Sequence, residues 1–97
     1  MLGIVRMAKI LRVQLRIPPT PLVRHRFLNF SEEVYFALKE DCAISGEEID
    51  RPTCIFHLRE IPKRFVRTAA AKVREIAEKH NILESIDVVE ITETTNA

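Results

Sequence analysis

Residues 11–17 read Leu-Arg-Val-Gln-Leu-Arg-Ile, an alternation of apolar and polar side chains with a period of two. Successive side chains of a β-strand point to opposite faces of a sheet. This segment therefore predicts a strand with one buried face and one face in water. Residues 18–21, Pro-Pro-Thr-Pro, end the strand, because proline cannot donate to a strand ladder and holds its predecessor in extended geometry.

The chain after these prolines predicts a connector followed by a helix. Residues 22–28 form either a loop, which we favour, or a return strand that makes a hairpin with the first. A helix is expected from about Glu32 to Asp41, since Ser31 is a good N-cap and Glu33 would oppose the positive end of the helix dipole. Apolar side chains at helical spacing would form its buried stripe. They are Val34, Ala37, Leu38 and Cys42.

The second half of the chain predicts a weak strand, a turn or bulge near residues 45–46, and then a strong strand over residues 53–59. Residues 62–80 carry apolar side chains along one arc of a helical wheel, which predicts an amphipathic helix. Asn81 can take the left-handed position that ends such a helix. Residues 86–91 are expected to form the last strand.

The order strand, helix, two strands, helix, strand predicts an α+β fold. Its commonest compact solution is a two-layer sandwich, the ferredoxin-like β-α-β-β-α-β arrangement, with both helices on one face of an antiparallel sheet. A chain of 97 residues with 46% hydrophobic composition fits one domain over residues 1–97. Residues 1–8 and 92–97 are expected to be frayed tails. This fold carries many unrelated functions.

Composition narrows the class of protein. The net charge is +1, and no apolar run approaches the roughly 20 residues of a membrane helix. The first residues lack the apolar core and cleavage site of a signal peptide. Cys42 and Cys54 match no metal or redox spacing. We therefore expect a cytoplasmic protein with free thiols, no membrane partner and no cofactor.

Although the net charge is near neutral, the charged residues fall into four consecutive blocks of alternating sign. Residues 1–30 hold six basic residues and no acid, and residues 31–50 hold seven acids and one lysine. Residues 51–80 hold eight basic residues and three acids, and residues 81–97 hold four acids. Such blocks either pair with one another or create local potentials for a partner. Pairing would set Asp87 and Glu90, on the last strand, near Arg12 and Arg16 on the first.

The basic residues of two blocks are candidates for contacts with phosphate. On the strands they would form a basic sheet face, and on the second helix a basic stripe. The candidates are Arg12, Arg16, Arg24, Arg26, Arg59, Lys63 and Arg67. Faces that bind single-stranded nucleic acid also present aromatic side chains for base stacking, and the predicted strands offer none on that side.

No motif points to catalysis or to a metal. Cys54 and His57 are three apart on a strand, so their side chains face opposite ways and cannot share an ion. His80 falls among the apolar residues of the last helical turn, where its ring can pack and reach terminal carbonyls. Neither a positioned nucleophile nor a glycine-rich phosphate loop is present. We therefore assign no catalytic residue and expect no enzyme.

The leading hypothesis is a small non-catalytic module that associates with itself or with a protein partner. It follows from the edge strands of a four-stranded sheet and from apolar side chains, Ile55 and Val89, expected on its open face. The alternative is a small nucleic-acid-binding regulator that uses the basic residues. A third possibility is a small enzyme without a recognisable signature.

Overall fold

Strands and helices follow one another along the chain in a two-layer arrangement. The computed structural model describes residues 5–49 and 51–96. Its elements are β1 (Val5–Leu15), α1 (Pro21–Leu38), β2 (Ala43–Glu48), β3 (Ile55–Ile61), α2 (Val66–Lys79) and β4 (Ile86–Asn96). The described strands form one antiparallel sheet in the order β2-β3-β1-β4. This is the predicted ferredoxin-like, two-layer α+β order, and the fold class is confirmed.

β1 is one of the two inner strands of the sheet. Its side chains point alternately toward the helices and toward the opposite side of the sheet. Val13 faces the helices with Phe56 of β3 and Val88 of β4 beside it, and it is fully buried. Arg12 and Gln14 point to the opposite side. The predicted strand of residues 11–17 is therefore confirmed in its period, although it begins earlier, at Val5, and ends at Leu15.

β1 and β4 are paired along their whole lengths, from Leu15 and Ile86 to Val5 and Asn96. The backbone of residues 5–8 and 92–96, which we expected in frayed tails, belongs to this ladder. Residues 1–4 and 97 lie outside the described residues. The expectation of one domain over residues 1–97 stays a prediction.

α1 begins eleven residues before the predicted start, and both interpretations of residues 22–28 were wrong. Thr20 is the N-cap and its hydroxyl accepts from the Val23 amide at 3.2 Å, while Pro21 occupies the first turn. Proline is well suited there, because the first helical amides lack an intrahelical partner. Ser31 is therefore not a cap. It is buried within the helix, and its hydroxyl donates to the Leu28 carbonyl at 2.7 Å.

α2 is the amphipathic helix that the sequence predicts. A short 3-10 turn at Lys63–Phe65 precedes it, so the α-helix begins at Val66. Asn81 has a φ of 57°, in the left-handed region, and the Ile82 amide donates to the Ala77 carbonyl at 3.0 Å. Ile82 is 2% exposed. This is the Schellman ending expected for the helix.

The core lies between the sheet and the two helices and is organised by three phenylalanines. Phe27 and Phe30 of α1 contact Phe56 of β3, with ring centroids 5.6–5.7 Å apart and tilted planes. All three side chains are at most 1% exposed. Cys42 and Cys54 are also buried and are free thiols, as predicted. Burial raises the pKa of both thiols, because the thiolate loses its hydration in the core.

Candidate interaction face

The side of the sheet that faces away from the helices is called the open face. The strand registers assign its residues, since directly opposed residues of an antiparallel pair share a face. They are Ile10, Arg12 and Gln14 of β1, Ala43, Ser45 and Glu48 of β2, Ile55, His57 and Arg59 of β3, and Asp87, Val89 and Ile91 of β4. The open face therefore combines apolar side chains with charges of both signs.

Apolar side chains occupy the open face on three strands. Ile55 and Val89, the two predicted interface residues, both lie there: Ile55 is half-buried and Val89 is 38% exposed. Ile10 and Ile91, which we did not predict, face each other across β1 and β4. Ile91 shares the face of Val89 because it lies two residues further along the strand, a signal that was present in the sequence. The usual outward face of such a sheet is polar.

Arg12 lies near the middle of the open face, with His57 on one side and Val89 on the other. Its Nε is buried and finds no hydrogen-bond partner among the residues that the structure describes. An unpaired buried donor costs free energy, and a positive charge raises that cost. Among the described residues, the guanidinium group of Arg12 is therefore incompletely hydrogen-bonded.

The expected pairing of β4 acids with β1 arginines is only half right. Arg16 Nε lies 3.6 Å from Asp87 Oδ1, and an Arg16 Nη donates to the Glu84 carbonyl. Glu90, however, points to the helix side of the sheet, where its Oε1 lies 3.1 Å from Lys9 Nζ. The reason is the register: Glu90 is opposite Leu11, so it shares the face of Leu11 and not that of Arg12.

The seven candidate phosphate contacts are divided between the two layers. Arg12 and Arg59 lie on the open face, and Arg16 lies beside it. The remaining four are on or next to the helices: Arg24 and Arg26 on α1, Lys63 before α2, and Arg67 on α2. Arg24 donates to the Arg51 carbonyl at 3.5 Å, in the loop between β2 and β3. The fold thus does not gather the candidates into one surface.

The described aromatic side chains lie away from the open face. Phe56 is buried toward the helices, as predicted, and the exposed aromatic residues are Tyr35 and Phe36 of α1. Base stacking by aromatic rings, a main source of affinity for single-stranded nucleic acid, therefore has no platform on the described part of this face.

Cys54 and His57, the pair considered for a metal site, lie on opposite faces of the sheet, as the sequence predicts. Cys54 is buried in the core, whereas His57 is on the open face opposite Arg12. Among the described residues no group of three histidine, cysteine or acidic side chains is placed to hold a metal ion. In the same residues no helix is long and apolar enough to cross a membrane.

His80 packs in the last turn of α2 as predicted, but its ring contacts a different partner. The ring centroid lies 6.5 Å from that of Phe30, and Nε2 donates to Glu33 Oε1 at 2.9 Å instead of to a terminal carbonyl. Lys79 Nζ donates to Glu33 Oε2, also at 2.9 Å. Glu33 thereby joins α1 to the end of α2, and the hydrogen bonds from His80 and then Lys79 lower the pKa of its carboxyl group.

Acid should weaken this link between the helices. The stabilisation from ionised Glu33 is present above its ordinary pKa of 4.5 and is lost as the pH falls through the lowered pKa. We expect the melting temperature of the wild type to fall more steeply in acid than that of Glu33→Gln. Thermal melts at a series of pH values test this. Glu32→Gln is the matched control and should follow the wild type; identical slopes for wild type and Glu33→Gln would contradict the prediction.

Comparison of the chain with protein-family models, curated proteins and solved structures finds no match.

Proposed function

We propose that this protein is a non-catalytic self-associating module whose open face packs against the open face of a second copy. The observation that supports this most directly is the set of accessible apolar side chains Ile55, Val89 and Ile91 beside the buried Ile10, on a sheet face that neither α1 nor α2 covers. Removing apolar surface from water is the main driving force of stable association. A second sheet would supply the missing layer at the usual face-to-face spacing of about 10 Å.

The charges of the open face favour a second copy over a strongly charged partner. A two-fold interface brings the same patch together from both subunits, so the patch must complement itself. Arg12 and Arg59 provide positive charge, and Glu48 and Asp87 provide negative charge on the same side of the sheet. A face with both signs can place unlike charges opposite each other in a symmetric pair.

Arg12 gives the interface a polar anchor. Arginine is among the residue types that most often supply binding energy in protein interfaces, and Arg12 lies between His57 and Val89 on the open face. Its buried Nε lacks an acceptor in the described chain, and an unmade hydrogen bond of this kind costs about 1–3 kcal/mol.

Sedimentation equilibrium over a range of protein concentrations tests the proposal. We expect a mass that rises from the 11.2 kDa of one chain toward twice that value. Val89→Glu should hold the protein at the mass of one chain, because a buried carboxylate opposes association, while Arg12 directly across the sheet keeps the variant folded. Leu22→Glu is the matched control, since Leu22 is an exposed apolar residue on α1, and it should associate like the wild type.

A wild-type protein that stays at one chain mass at every concentration would refute self-association, as would a Val89→Glu variant that associates normally. Nucleic-acid binding is the alternative. Fluorescence anisotropy with labelled DNA and RNA at about 50 and 200 mM salt addresses it. Binding that weakens steeply with salt, and that Arg12→Gln with Arg16→Gln abolishes, would replace the proposed function with a nucleic-acid-binding one.

A further inference from the structure

The outer edge of β4 is long and unprotected. β4 has 11 residues and pairs with β1 alone in the described sheet, in a register that runs from Ile86 to Asn96 without a shift. Proteins usually protect an exposed edge with proline, basic side chains, a bulge or a short strand. β4 contains neither proline nor a basic residue. The other edge strand, β2, has six residues and a register shift.

The hydrogen bonds between β1 and β4 show which backbone groups of β4 face outward. The Arg16 amide donates to the Ser85 carbonyl at 2.8 Å, directly beyond the last pair of the register. Bonded and non-bonded pairs alternate along an antiparallel ladder, so every second residue of β4 directs its N–H and C=O groups at β1. The residues between them direct these groups away from the sheet. In the middle of the strand they are Val88, Glu90 and Thr92.

A groove lies beside this edge, between α2 and β4 on the helix side of the sheet. Its volume is about 210 Å³, and its lining includes Arg67 and Arg74 of α2 and Val88 and Glu90 of β4. Both arginines are exposed, and neither forms an ion pair with the described residues. Glu90 is instead 3.1 Å from Lys9. Two unpaired positive charges therefore lie next to the outward backbone groups of β4.

The charge of β4 complements that of the groove. Every charged residue of β4 is acidic, and Glu90 is the one whose side chain lies on the helix side in the described part of the strand. If two β4 strands pair antiparallel with Val88 opposite Glu90 of a second copy, each Glu90 lies beside Arg67 and Arg74 of the other copy. A register with the two Glu90 side chains directly opposite each other is disfavoured by their like charge.

We propose that two copies of this chain pair β4 with β4, antiparallel, so that the sheet continues from one copy into the other. The outward backbone groups of Val88, Glu90 and Thr92 supply hydrogen bonds, as in the addition of a strand to a sheet edge. Glu90 of each copy supplies the acceptor for the arginines of the other, which makes the contact self-complementary, as a two-fold interface requires. The inference extends the proposed self-association to a second surface, and the two contacts can fail separately.

Amide hydrogen exchange tests the pairing, followed by NMR on the ¹⁵N-labelled chain at low and high protein concentration. At high concentration the amides of Val88, Glu90 and Thr92 should exchange at least about tenfold more slowly, because carbonyls of the second copy accept hydrogen bonds from them. The amides of Val89 and Ile91 should exchange slowly at both concentrations. Packing of the open faces leaves the outward amides in water, so exchange that does not depend on concentration would refute the edge pairing.

Charge reversal tests the proposed register. Glu90→Lys alone, and Arg67→Glu with Arg74→Glu alone, should each lose the concentration-dependent protection, since like charges then meet across the edge. An equimolar mixture of the two variants should regain it. Arg64→Glu with Lys72→Glu is the matched control, because neither residue lines the groove, and it should keep the wild-type protection. Protection in either variant alone, or none in their mixture, would overturn the proposal.

Ile55→Lys separates the edge contact from the open-face contact. Ile55 lies on β3, away from the edge, and Glu48 directly opposite provides a partner for the new charge. This variant should lose the open-face contact and keep the protection of the three outward amides. Loss of that protection would overturn the edge pairing as a contact of its own. A wild-type mass that rises without it would overturn the edge pairing and leave the open-face contact standing.

Val89→Glu does not separate the two contacts. In the proposed register the two Val89 side chains lie opposite each other across the paired edges, so a carboxylate there opposes both contacts. If Ile55→Lys left the mass of the wild type unchanged while the outward amides stayed protected, the open-face contact would be refuted and the edge pairing supported.

Discussion

Phe30→Ala is expected to destabilise the protein by about 3–5 kcal/mol, the usual cost of removing a large aromatic side chain from a well-packed core. Phe30 is fully buried, and its ring contacts Phe27, Phe56 and His80. The loss includes both the transfer free energy of the ring and the cavity it leaves. Domains of this size are stable by about 5–15 kcal/mol, so this one change removes a large part of the total.

Chemical denaturation measures the loss of folding free energy in Phe30→Ala, with Phe36→Ala as the matched control. The two phenylalanines lie on the same helix and undergo the same substitution. Phe36 is 60% exposed, and its alanine variant should lose at most about 1 kcal/mol, mainly through its contact with Lys39. If both variants lost similar stability, the described placement of α1 against the sheet would be wrong.

The two thiols should react with an aromatic disulfide reagent at least about a thousandfold more slowly in the folded protein than in denaturant. Each buried thiol reacts only after local or global unfolding exposes it, and that unfolding costs several kcal/mol. Cys54 is fully buried and Cys42 is 9% exposed. Burial also raises the pKa of each thiol and thus lowers the fraction of reactive thiolate. We expect Cys54 to be the slower of the two.

Absorbance-monitored labelling of the single-thiol variants Cys42→Ala and Cys54→Ala separates the two rates. Labelling in denaturant gives the reference rate for each variant. A folded Cys42→Ala protein that reacts as fast as its denatured form would show that Cys54 is accessible, and would contradict the burial of Cys54 directly before β3.

Local patterns in the sequence were sufficient for most of the fold. The period of two in residues 11–17 defined the central strand, and Asn81 defined the end of α2. The start of α1 was missed because Thr20 and Pro21 fit two structures: proline both ends a strand and begins a helix. Ser31, a good cap in isolation, lies where tertiary burial continues the helix past it.

The candidate surfaces were harder to predict from the sequence than the fold. They depend on the register between strands and on which side of the sheet the helices leave exposed. Ile55 and Val89 were placed correctly by alternation alone. The buried Nε of Arg12, which has no hydrogen-bond partner among the described residues, is a property of the folded chain that no local sequence pattern records. The register shift between Ser45 and Glu48 agrees with the turn or bulge that the sequence predicts near residues 45–46.

The central position of β1 has a consequence for how the chain folds. β1 comes first along the chain, yet its two neighbours in the sheet are β3 and β4, and the pairing of Val5 with Asn96 spans nearly the whole length. The chain must lose the entropy of closing these long loops before the burial of core side chains stabilises it. Folding should therefore be slower than for a helical bundle of similar size, with helices forming early and the β1–β4 ladder completing the transition.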